Sequence, residues 1–149
     1  MVYRSPMPFA RFDKEYTALD EMIQAGVSTV VMLIEEGEDF VRAARDLKTI
    51  YTENNLAVIH YPIIDFDTPD DPGELQSVIA EVSEKVREGE RVAVHCFAGQ
   101  GRTGMFIALL GRQLLGLGGD EAIEWVRGYF RAIETVEQEQ VVRDYQPGE

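Results

Sequence analysis

The sequence holds a single cysteine, Cys96, so no disulfide can close within the chain. That thiol is either apolar filling or a reactive group, and its neighbours must decide which. Only two histidines occur, and neither has a cysteine or histidine partner at metal-ligand spacing. No metal and no other cofactor is therefore expected, and His60, at the end of an apolar run, reads as a hydrogen-bonded structural histidine. The opening from Met1 to Glu15 carries no long apolar run behind a basic flank, so neither a signal peptide nor a transmembrane helix is expected and the cytoplasm is the expected location. Positive charge is scarce as well. Lys and Arg number 14 against 27 Asp and Glu, a formal net charge of −13. Such a field repels duplex nucleic acid and anionic lipid, which leaves no nucleic-acid partner and no membrane among the expected ones. Repeats, low-complexity stretches and Ser- or Gly-rich linkers are absent too. With 149 residues, 45% of them hydrophobic, the chain reads as one domain over residues 1–149, large enough to bury a core without staples and expected to act as a monomer.

What is present alternates in type. Asp13 to Ala25 predicts an amphipathic helix with Tyr16, Leu19, Ile23 and, less regularly, Met22 on its apolar face, stopped by Gly26. Ser28 to Ile34 is a short continuous apolar run that predicts a buried strand. Glu38 to Thr52 reads as helix, Leu56 to Tyr61 as strand, and Asp65 to Pro72, dense in Asp and Pro, as loop. Gly73 to Glu88 predicts a helix and Arg91 to Val94 a third strand. Met105 to Leu115 is an apolar helix, with Met105 and Phe106 in its pattern. Asp120 to Tyr129, where Trp125 reads as core together with Met105 and Phe106, and Thr135 to Tyr145, with Thr135 as N-cap, complete the helices. Strands alternating with helices predict a three-layer α/β fold whose central, mostly parallel sheet is flanked by helices.

The third strand feeds the segment His95, Cys96, Phe97, Ala98, Gly99, Gln100, Gly101, Arg102, Thr103, Gly104. A short loop entering a helix can turn successive backbone N–H groups onto one point and form an anion cradle, reinforced by the helix dipole. Gly99 and Gly101 permit that turn. Residues 97–102 would bind phosphate, with the planar fork of Arg102 clamping two oxygens. A thiol facing such a cradle is stabilised as thiolate, which makes Cys96 the nucleophile. Thr103 can offer its hydroxyl to the sulfur, and His95 can fix the loop by hydrogen bonds.

These residues resemble the signature of protein tyrosine phosphatases, a histidine and cysteine followed after five residues by arginine and then Ser or Thr. Over nearly the whole chain the resemblance is closest to compact dual-specificity-type phosphatases of archaea and bacteria. It implies a central sheet of about four to five strands between helices, a phosphocysteine intermediate and phosphotyrosine hydrolysis, with some tolerance for phosphoserine and phosphothreonine. It also implies a general acid roughly thirty residues before the cysteine. In Tyr61, Pro62, Ile63, Ile64, Asp65, Phe66, Asp67 the match is Asp65, with Asp67 in reserve, and Ile64 stands where the family has proline. In the stretch Ala132 to Gln138 the resemblance assigns the water-positioning glutamine to Gln138, and Gln140 is the alternative because the preceding segment lacks the family's Arg-Pro-Gly. Arg4, Ser5, Met7 and Pro8 resemble the segment that borders the pocket.

Three other readings compete with protein dephosphorylation. The first is a phosphoinositide or other small-phosphomonoester phosphatase; the phosphoinositide type would carry lysines in the loop for the extra phosphates, where Phe97 and Gln100 stand. A catalytically weak phosphotyrosine-binding module would have lost nucleophile, clamp or acid, and all three are present. A sulfurtransferase or arsenate reductase would leave His95, Thr103 and the upstream acid unexplained.

Overall fold

The computed structural model describes residues 1–148. Its sheet has four parallel strands: β1 (Val2–Ser5), β2 (Thr29–Met32), β3 (Ala57–His60) and β4 (Val92–His95), in the order β1-β4-β2-β3. The two central strands, β2 and β4, are buried at every position, as expected of parallel strands covered on both faces. Side chains alternate between those faces. Val92 and Val94 point into one core with Val31, whereas Ala93 points into the other with Val30 and Met32.

Helices fill both outer layers. On one face lie α1 (Ala18–Gln24), α2 (Glu38–Ala43) and α3 (Leu47–Glu53), with Leu19, Met22, Leu47 and Tyr51 turned to the sheet. On the other lie α4 (Pro72–Arg87), α5 (Gly101–Leu115), α6 (Gly119–Arg127) and α7 (Val136–Asp144). Residues 101–111 of α5 are all buried, so this helix is the centre of its layer rather than an amphipathic cover. Its approach to neighbours depends on Gly104, where a Cβ would lie 2.6 Å from the Ala132 Cβ and 2.8 Å from the Ile133 nitrogen. The three-layer architecture is the expected one.

Several local expectations need correction. β1 carries only Val2 and Tyr3 as apolar residues and was not expected as a strand; register with β4 creates it. The first helix begins at Ala18, not Asp13, because the buried Asp13 carboxylate collects the N–H groups of Phe9, Thr17 and Ala18 and stops the helix extending backward. Tyr16 therefore lies outside it, at φ 56° and 56% exposed, and Ile23 also faces solvent. The expected Glu38–Thr52 helix is two. Ala44 takes a left-handed conformation, and Asp46 then caps α3 through the Thr49 N–H. Trp125 is only partly buried, against the outer side of α5 at Gly111, while Met105 and Phe106 are core. His60 is held by its Nε2–H, which donates to the Ile34 carbonyl at 2.7 Å.

Candidate active site

β4 delivers Cys96, 3% exposed, to the end of the sheet, and the chain turns through residues 97–100 into α5. Every carbonyl on that turn is tied outward. The Cys96 oxygen accepts from His95 Nδ1 at 2.9 Å and the Phe97 oxygen from the Met7 N–H at 2.9 Å. Arg4 donates to Gly99 O at 2.9 Å and to Ala98 O at 3.4 Å. The Gln100 oxygen accepts from the N–H groups of Gly104 and Ile133. With the carbonyls facing out, the peptide N–H groups face in. None of those at Phe97, Ala98, Gly99, Gln100 or Arg102 has an acceptor among the described residues, which is the pattern of an anion cradle. Gly99 makes the turn possible: its φ is 76°, and a Cβ there would sit 2.6 Å from the Ser5 oxygen.

Beneath the cradle, His95 is wholly buried between two partners. A carbonyl can only accept, so Nδ1 carries the proton toward Cys96 O, and Nε2 accepts from the Tyr51 hydroxyl at 2.9 Å. Burial, above all, lowers the imidazole pKa to about 4, against the smaller upward pull of the Cys96 carbonyl bond. Burial also pushes the Tyr51 hydroxyl pKa well up, helped by Asp39 and Asp13. Both groups are thus neutral, and the loop is pinned without placing a second cation under it.

Arg102, 1% exposed, is the largest fully buried side chain among the described residues. Its guanidinium makes a two-pronged pair with Glu38, Nη1 to Oε1 and Nη2 to Oε2, each 2.9 Å. Nη1 also reaches Ile63 O at 2.9 Å, and Asp65 Oδ1 lies 3.4 Å from Nη2. Arg42 closes the ring, with Nε 3.0 Å from Glu38, Nη2 3.3 Å from Asp65 and its guanidinium 3.9 Å above the Phe97 ring. Desolvation works against charge at both Glu38 and Arg102. The hydrogen bonds between them, with the nearby charges of Arg42, Cys96 and Asp65, outweigh it, so the Glu38 pKa falls and the Arg102 pKa rises. Arg102 Nε and the Thr103 hydroxyl, both buried, have no partner among the described residues. Each is a polar group whose burial is costly unless something supplies the missing bond.

Asp65 lies on the loop between β3 and α4, followed by Phe66 at φ 65°, a strained conformation for a non-glycine residue. Asp67 is exposed and caps the N–H of Thr68. Gln138 is buried. Its Oε1 accepts from the N–H groups of Glu134 and Thr135, and its Nε2 donates to the Asp67 carbonyl at 3.2 Å, so it ties α7 to the loop that carries Asp65. Gln140 is exposed and bonds to Asp144 instead.

Sequence reasoning missed four residues that the fold brings here. Glu38 and Arg42 begin and follow through one turn of α2, an (i, i+4) pair that reads as surface pairing until Arg102 arrives from the far end of the chain. Tyr51 reads as an ordinary helix-face aromatic. Glu134 lies with its carboxylate beside the Gly101 N–H, and burial, then the charge of Asp65, raises its pKa.

Cradle, buried arginine and lone thiol define a class, and comparison with known proteins gives the same one. Residues 7–113 match the family described as Tc-R-P, polymorphic toxin system, DSP-PTPase phosphatase. The chain belongs to this family of dual-specificity-type tyrosine phosphatases. The structure of Tk-PTP in its active form is similar over 97% of this chain and 90% of that one, with 32% identity and a TM-score of 0.79. Kinase associated phosphatase, solved with its catalytic cysteine replaced by serine, shares the fold at 20% identity, with a TM-score of 0.83 over 94% of this chain and 82% of that one. Cyclin-dependent kinase inhibitor 3 of Mus musculus is 23% identical over 128 residues, 85% of this chain and 60% of that protein. The chain thus spans about 60% of the length of this relative. Among the described residues no helix is long and apolar enough to cross a membrane.

Proposed function

We propose that residues 1–149 form a single cytoplasmic phosphatase domain, acting as a monomer, that hydrolyses phosphotyrosine on proteins through a phosphocysteine intermediate. The supporting observation is the ring of outward-tied carbonyls around Cys96: it leaves five backbone N–H groups and the unpartnered Arg102 Nε for the oxygens of one phosphoryl group. The Cys96 sulfur attacks phosphorus as the bond to the tyrosyl oxygen breaks, and Asp65 passes its proton to that oxygen. Water then attacks the phosphocysteine, Asp65 takes back a proton, and the sulfur leaves as thiolate with inorganic phosphate released. Thr103, its hydroxyl free, donates to the leaving sulfur. Gln138 holds the acid loop to α7, and it can orient the water once it releases the Asp67 carbonyl.

Electrostatics supports a protein substrate over an inositol lipid. Two loop positions that would need cationic side chains for extra phosphates are Phe97 and Gln100, and the net charge of −13 opposes an anionic bilayer. Phe97, stacked edge-on with Phe12 at 5.0 Å, supplies an aromatic wall beside the cradle.

The test is turnover of para-nitrophenyl phosphate and of a phosphotyrosine peptide in EDTA. Cys96→Ser should abolish both. Asp65→Ala should slow the peptide, with its poorer leaving group, more than the nitrophenyl ester. Loss only with Asp67→Ala would move the acid to that residue, and a folded wild type without turnover would leave a phosphotyrosine-binding module.

A further inference from the structure

A second concavity lies away from Cys96, between β1 and the outer sides of α5 and α6. It encloses about 720 Å³, within the range of roughly 300–1,000 Å³ typical of small-molecule sites. Its walls are Leu110, Leu114, Trp125, Tyr129 and Phe130, and its rim leaves Tyr129 76% exposed. Arg4 is the one charged side chain on the lining. That guanidinium sits 4.6 Å over the Phe130 ring and spends Nε and Nη2 on the carbonyls of Gly99 and Ala98. Nη1 has no partner among the described residues. Packing removes part of its hydration, which lowers the Arg4 pKa, while the residue as a whole stays exposed, so an anion can reach it.

We propose that this groove binds an aliphatic carboxylate, its tail along Leu110, Leu114 and Trp125 and its head on Nη1 of Arg4. Charge complementarity selects this occupant. An apolar wall that carries the Arg4 cation and, among the described lining residues, no carboxylate matches a molecule with one anionic end. The site is independent of the phosphatase chemistry, although Arg4 joins the groove to the back of the phosphate loop.

Trp125 is the only tryptophan and lines the groove, so its fluorescence reports there. Decanoate, octanoate and decanol are titrated below micelle formation into full-length Cys96→Ser protein, so that binding is read apart from turnover. Decanoate should give a saturable change. Octanoate should bind about fifteenfold more weakly, at about fourfold per methylene, and decanol more weakly than decanoate. Arg4→Met should erase the preference for acid over alcohol. Leu114→Glu, which leaves Arg4 and its loop contacts in place, should weaken decanoate at least about tenfold, with a thermal melt confirming the fold. A non-saturating signal, or equal responses to acid and alcohol in wild type, overturns the proposal. So does a dimer in light scattering that buries Trp125 and resists decanoate.

Discussion

Replacing Glu38 with alanine removes both carboxylate oxygens from the Arg102 guanidinium at once. Arg102 is 1% exposed, so water cannot take their place without the loop opening. What remains is Ile63 O at 2.9 Å, Leu33 O at 3.4 Å and Asp65 at 3.4 Å. Removing one partner of a buried ion pair costs about 3–5 kcal/mol, and these residual contacts place Glu38→Ala near the lower end, about 3 kcal/mol. That is a large part of the ~5–15 kcal/mol by which a domain is stable. With a urea slope of roughly 1.5 kcal/mol per molar, the unfolding midpoint should fall by about 2 M. Orthovanadate offers Arg102 a new anion, so at a hundredfold excess over its dissociation constant it should return about 2.7 kcal/mol. Turnover of para-nitrophenyl phosphate should drop roughly a hundredfold as the clamp loosens, and Glu38→Gln, which keeps one acceptor, should fall between. A midpoint within about 0.3 M of wild type, with turnover within about twofold, would refute the assignment of Glu38 as the residue that holds Arg102.

Three further outcomes follow from the site. Gly99→Ala puts a Cβ 2.6 Å from the Ser5 oxygen at φ 76° and should cost about 1–3 kcal/mol with at least a tenfold loss of turnover; unchanged kinetics would mean the turn is not fixed by β1. His95 keeps a pKa of about 4 when folded against roughly 6.5 when unfolded, so between these values only the unfolded chain takes the proton. Stability is therefore full above about pH 6.5 and falls by about 3 kcal/mol toward pH 4; nitrogen NMR should find a neutral ring with the proton on Nδ1 at about pH 5.5, and a protonated ring there contradicts the geometry. Peroxide should inactivate the enzyme through Cys96 sulfenic acid, and because no second cysteine exists to protect it as an internal disulfide, activity should return only if thiol follows promptly; only sulfinic and sulfonic products in mass spectrometry would rule this out.

Much of the fold was legible because buried parallel strands announce themselves. The run Val30 to Ile34 is apolar throughout and is buried throughout. β1 was not legible, since strand identity there comes from pairing with β4 and not from its own pattern. The break at Ala44 was hidden for a similar reason: Asp39 draws the Leu47 N–H at 3.0 Å and turns the chain, a tertiary event inside a helical pattern. At the site, the local loop could be read from Cys96 to Thr103 because its chemistry is written in consecutive residues. Glu38, Tyr51 and Glu134 could not, because each meets the loop from 33 or more positions away in the chain and nothing in its own neighbourhood marks it.

The central claim is that phosphate passes through the Cys96 sulfur, and rapid quenching tests it most directly. Wild-type protein mixed with excess para-nitrophenyl phosphate in EDTA, quenched in acid within one turnover and digested, should yield the Cys96 peptide carrying a phosphoryl group. Cys96→Ser should yield none. Turnover of the wild type with no phosphoryl group on Cys96 at any quench time, or with the group on another residue, would contradict the account.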